Sequence, residues 1–142
     1  MNKELIIQTK RENYEFKFYE EVWISNIINE LGNFSIEVYK DTLDQNKLGK
    51  VLKFIESETL LTILKRSEAL LQLLAINFWG EDYKGAEFNF QGIIISANVD
   101  EELVDFQLCF HMSSALNDFD DFANWIVDMK NSKITGVKRE QL

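Results

Sequence analysis

QNKLGKVLKFIESETLLTILKRSEALLQLLAINFWG, residues 45–80, decides the fold class, because here the apolar spacing changes to that of a helix. Leu48, Val51, Leu52 and Ile55 stand at i, i+3, i+4 and i+7, one helical stripe with Lys47, Lys50 and Lys53 outside it. Ser57 is placed to cap a second helix, with Glu58 near its positive end. Leu60, Leu61, Ile63, Leu64, Leu70, Leu71, Leu73, Leu74 and Phe78 then form an apolar surface broad enough to be expected largely buried, and Gly80 ends the helical region.

On either side the spacing reads as strands. Leu5, Ile6 and Ile7 precede Tyr14, Phe16 and Phe18, which alternate with Glu15 and Lys17. Residues 22–31 fit two patterns: Val22, Ile24 and Ile28 suit a strand, Trp23, Ile27 and Leu31 a helix face. A hairpin over 22–40 is the preferred reading, turning at Leu31-Gly32-Asn33 into Phe34, Ile36 and Val38. After Gly80 come Phe88 and Phe90, Ile93 and Ile95, then Leu103, Phe106, Leu108 and Phe110. A closing hairpin is expected from residues 125–129 and 134–138, joined by the polar residues 130–133. Strands grouped at both ends of a helix pair imply an α+β fold: a mainly antiparallel β-sheet with a two-helix layer on one face. With 142 residues, 46% of them hydrophobic, no proline and no linker-like stretch, residues 1–142 are expected to form a single α+β domain.

Charge is the second signal. Residues 81–128 carry eleven acidic side chains and one base, Lys84, a formal −10; since the whole chain carries −9, the rest sums to +1. Nucleic acid and anionic membrane surfaces are electrostatically disfavoured as partners, and a basic protein partner is favoured. The first sixteen residues lack a signal-peptide core and no run approaches a membrane span, so a cytoplasmic location is expected. The single cysteine, Cys109, excludes an internal disulfide, and one histidine leaves no zinc site of usual composition.

Three arrangements invite a chemical reading. Cys109 and His111 would project to one face of a strand as a thiolate–imidazole pair, but no flanking motif supports it, and a packed thiol explains Cys109 as well. Asp118-Phe119-Asp120-Asp121 resembles the start of a calcium loop, yet Ala123 and Met129 occupy the positions where such a loop needs glycine and glutamate. Glu101 and Glu102 are adjacent and therefore diverge. Nucleotide-binding, hydrolase and metalloprotease motifs are absent, so no enzyme, cofactor or metal is expected. What remains is a docking patch: carboxylates at Glu101, Glu102, Asp105, Asp118, Asp120 and Asp121, with Phe119 and Phe122 as aromatic anchors among them. The alternative is a non-catalytic binding or scaffold module whose acidic face only keeps it soluble.

The segment Asn124-Trp125-Ile126-Val127-Asp128-Met129-Lys130-Asn131, followed by residues 134–141 with Gly136-Val137-Lys138-Arg139-Glu140-Gln141, resembles the closing hairpin of small immunity proteins from bacterial polymorphic-toxin and contact-dependent inhibition systems. The matching part covers about residues 120–141; Met129 stands where an aromatic is usual, and the turn usual before the tryptophan is missing. The resemblance implies a cytosolic, non-catalytic inhibitor of a toxin domain, often a nuclease with a basic cleft. Arg139 would then pair with carboxylates of the neighbouring strand.

Overall fold

The computed structural model describes residues 3–39, 45–96, 103–113 and 123–141. Four strands come first: β1 (Lys3–Gln8), β2 (Asn13–Tyr19), β3 (Val22–Asn29) and β4 (Gly32–Val38). Helices α1 (Gln45–Ile55) and α2 (Leu60–Trp79) follow, then β5 (Glu87–Ile95), β6 (Phe106–Ser113), β7 (Ala123–Lys130) and β8 (Lys133–Gln141). The strands lie in one eight-stranded sheet in their order along the chain. Every pairing is antiparallel except that of β4 with β5, so the fold is α+β with a mixed, mostly antiparallel sheet.

The parallel pair follows from the helices. Parallel neighbours need a long crossover, and the helical segment supplies it. At about 1.5 Å per residue the 20-residue α2 runs about 30 Å, which matches a nine-residue strand such as β5 and is enough to bring the chain back along the sheet. Residues 22–29 are strand, because β3 pairs with β4 from Trp23↔Val38 to Asn29↔Gly32. The turn thus precedes Gly32, slightly earlier than its local sequence implies.

One cluster of buried side chains joins the helices to alternate strand positions: Leu48, Val51, Leu64 and Leu71 with Ile36, Ile93, Leu108, Phe110, Trp125 and Val127. In β5 the inward positions switch from Phe88 to Ile93, even to odd, because a register shift between Phe90 and Gly92 leaves Gln91 over as an extra residue. Two expectations for α2 are corrected. Thr59, not Ser57, is the N-cap residue and forms no side-chain cap; the Ser57 hydroxyl instead accepts from the Thr59 amide. The helix also buries only part of its apolar surface: Leu60, Ile63, Leu64, Leu71 and Ala75 are buried, whereas Leu61, Leu70, Leu73 and Phe78 are exposed. Apolar residues spread around more than one side of a helix cannot all meet a single packing partner.

Candidate functional site

Of the expected docking residues, Glu101, Glu102, Asp118, Phe119, Asp120, Asp121 and Phe122 lie outside the described residues. Asp105 is described, and it is not available for docking: it is only 3% exposed. Its Oδ1 lies 3.1 Å from Lys50 Nζ of α1 and 3.2 Å from Lys130 Nζ at the end of β7, while Oδ2 accepts the Asn131 amide at 2.9 Å. Beside it Lys47 Nζ donates to the Val104 carbonyl at 2.9 Å, and the Asp105 amide donates to the Met129 carbonyl. The carboxylate thus ties α1 to the start of β6 and to the β7–β8 hairpin. Sequence placed Lys47 and Lys50 outside the apolar stripe, and their stems reach back to this clamp.

Burial alone would raise the pKa of Asp105, but the Asn131 amide and the two lysines outweigh it and hold the carboxyl below the usual carboxylate range. A depressed folded pKa stabilises the native state above the unfolded value, near 3.9, and that contribution disappears as pH falls through the folded value. Asp105→Asn should cost about 2 kcal/mol at neutral pH, less than a fully buried pair because both lysines reach solvent. Urea unfolding of both proteins should show the difference shrinking below about pH 4. A constant difference down to pH 2 would contradict the ionic clamp.

The sheet surface opposite the buried cluster holds the other gathering of functional groups. Cross-strand partners share a face, so the registers Ser35↔Gly92, Gly92↔Cys109 and Cys109↔Ile126 carry one surface across four strands, and Ile126↔Lys138 extends it to β8. A cleft of about 320 Å³ opens there, lined among others by Glu37, Tyr39, Ile94, Cys109, His111 and Asn124. The Tyr39 hydroxyl donates to Glu37 Oε2 at 2.8 Å; burial and this bond push the phenol up to about 12. Burial first, then the charges of Glu37 and Glu140, pushes the Cys109 thiol up to about 12. It therefore keeps its proton near neutral pH, which removes the thiolate that a Cys109–His111 nucleophile would need. His111 itself is exposed beside it.

Glu37, Glu140 and Asp128 share this face, with Lys138 set 3.9 Å from Glu140 and Asp128 accepting from Gln107 Nε2 at 2.8 Å. Carboxylate, amide and hydroxyl groups line the recess, a set chemically able to accept hydrogen bonds from a cationic side chain. Glu37 and Tyr39 were legible only as members of an alternating strand. The parallel β4–β5 pairing brings them beside residues some seventy positions later, which no local pattern encodes.

Arg139 has its guanidinium carbon 5.3 Å from the centre of the Trp79 ring, a cation–π contact that joins β8 to the end of α2. Among the described residues no group of three or more His, Cys, Asp or Glu could hold a metal ion, and no helix is long and apolar enough to cross a membrane. Comparison of the chain with protein-family models, curated proteins and solved structures finds no match.

Proposed function

We propose that this chain is an immunity-type inhibitor, cytoplasmic and non-catalytic, that neutralises a cognate bacterial toxin domain by covering a basic site, such as that of a nuclease. The observation that carries the reading is the concentration of −10 within residues 81–128. It is supported by the cleft, where Glu37 from the first half of the chain joins Glu140 in a negative field around a recess of side-chain size. In this reading both helices cover the sheet face that holds Ile36, Leu108 and Trp125, with which they share one buried cluster, and the opposite face is left to the partner. Lysine or arginine side chains of the toxin enter the cleft, and Glu101, Glu102, Asp118, Asp120 and Asp121 steer the encounter, with Phe119 or Phe122 as anchor. Asp105 is withdrawn from this set, since its carboxylate serves the fold.

That withdrawal is also the one observation favouring the second reading, a scaffold module with a solubilising acidic face. Calorimetry against the toxin domain encoded beside this gene separates the two. Tight binding that weakens at least thirtyfold in Glu37→Lys/Glu140→Lys, and again in Asp118→Lys/Asp120→Lys/Asp121→Lys, is expected. No binding, or binding indifferent to both charge reversals, would leave only the scaffold.

A further inference from the structure

The β2–β3 ladder stops early. The two strands join through a two-residue turn, Glu20-Glu21, both residues at positive φ (48° and 67°), and pair only at Tyr19↔Val22, Phe18↔Trp23 and Lys17↔Ile24. In a hairpin closed at Tyr19↔Val22 the hydrogen-bonding rungs alternate, so Lys17↔Ile24 is one and the next would be Glu15 with Asn26, then Asn13 with Ile28. Neither pair forms, although all four residues are in strands. Each strand is instead held by its other neighbour: β2 pairs with β1 along residues 13–18, and β3 pairs with β4 along residues 23–29. Tyr14 further fixes β2 to the end of α1, its hydroxyl 2.8 Å from Glu56 Oε2. Between the diverging strands lies a wedge of about 260 Å³, lined by Asn13, Glu15, Asn26 and Ile28 and by Glu12.

We propose that this wedge is a peptide-docking slot that takes a short extended segment of a partner protein. A backbone donor and acceptor on each side, at a spacing of two residues, is the complement of a β-strand and of little else, since buried or bridged backbone groups are otherwise paired. The stretch of β2 left without a β3 partner, residues 13–16, accommodates about four extended residues, roughly 13 Å. Tyr14, Ser25 and Ile27 are buried on the inner side, so side chains pointing inward must be small. Glu15 on the outer side and Glu12 at the open end line the slot against a single base, Lys17, 3.9 Å from Glu15, which favours lysine or arginine in the segment. The slot is separate from the β4–β6 cleft and does not depend on the toxin reading; the charge reversals that test that reading leave it untouched.

The test is residue-resolved amide exchange on the unmodified protein, with a blocked seven-residue peptide alternating lysine and threonine as probe. In the free protein the Glu15 and Asn26 amides should exchange at least tenfold faster than those of Lys17 and Ile24. Millimolar peptide should slow them at least tenfold, while the same peptide with proline at its centre, lacking the amide, should not. Slow exchange without peptide would show the rungs to be closed and overturn the slot. So would no effect of the peptide, or equal protection by the proline version. Equal protection by a glutamate–threonine peptide would overturn the basic character of the segment.

Discussion

Gly92→Ala should lower the unfolding free energy by about 3 kcal/mol or more, close to the upper end of overpacking costs, and the melting temperature by roughly 10 °C. A Cβ at position 92 would stand 2.3 Å from the Ser35 carbonyl oxygen and 2.9 Å from its Oγ. The hydroxyl can rotate away, but the carbonyl belongs to β4, which is held on its far side by the whole β3–β4 ladder. Relief therefore requires β4 and β5 to separate at Ser35↔Gly92, in the one pairing that joins the two halves of the sheet. Gly49→Ala is the internal contrast. Position 49 lies within α1 with nothing within 4 Å of the added methyl, so alanine there should stabilise by about 0.5–1 kcal/mol through helix propensity. Urea titration of the two variants should give shifts of opposite sign; a Gly92→Ala protein as stable as the parent would mean that the β4–β5 approach is wrong.

Trp125→Ala should cost about 4 kcal/mol, the usual range for emptying a buried tryptophan site and a large share of the stability of a domain this size. The indole is fully buried and packs against three rings, Phe88 at 5.2 Å, Trp79 at 5.7 Å and Phe78 at 6.5 Å between centroids, all near edge-on. Two of these belong to the end of α2, where Phe78 and Trp79 are otherwise exposed. Removing the indole takes away their anchor as well as its own packing, so amide exchange should accelerate over the last turn of α2 more than over its first. Uniform acceleration along α2 would show that Trp125 acts only through global stability. Arg139, its cross-strand partner, rests on Trp79, which places the whole arrangement at the junction of helix and sheet.

Much of the secondary structure was legible because it is written in local spacing. The 3.6-residue stripe of Leu48, Val51, Leu52 and Ile55 marked α1, the alternation of Tyr14, Phe16 and Phe18 marked β2, and the polar turn after Lys130 marked the last hairpin. Even the parity change from Phe88 and Phe90 to Ile93 and Ile95 was present in the chain, although its meaning, a bulge at Gln91, required the partner strand. The partial burial of α2 was not legible. Leu61 and Leu73 are as apolar as Leu64 and Leu71, and only the direction in which the helix meets its neighbours separates them.

The candidate site divides along the same line. Composition alone established the acidic imbalance of residues 81–128, because formal charge needs no coordinates. It could not separate a carboxylate that docks from one that holds the fold: Asp105 reads like Asp118 in sequence, and only the approach of Lys50, Lys130 and the Asn131 amide makes it structural. The cleft around Glu37 and Cys109 and the wedge between β2 and β3 were likewise decided by tertiary structure. Local sequence sets which way successive side chains alternate, through the fixed geometry of strand and helix, whereas which strands meet, and how far each ladder runs, depends on contacts between residues distant in the chain.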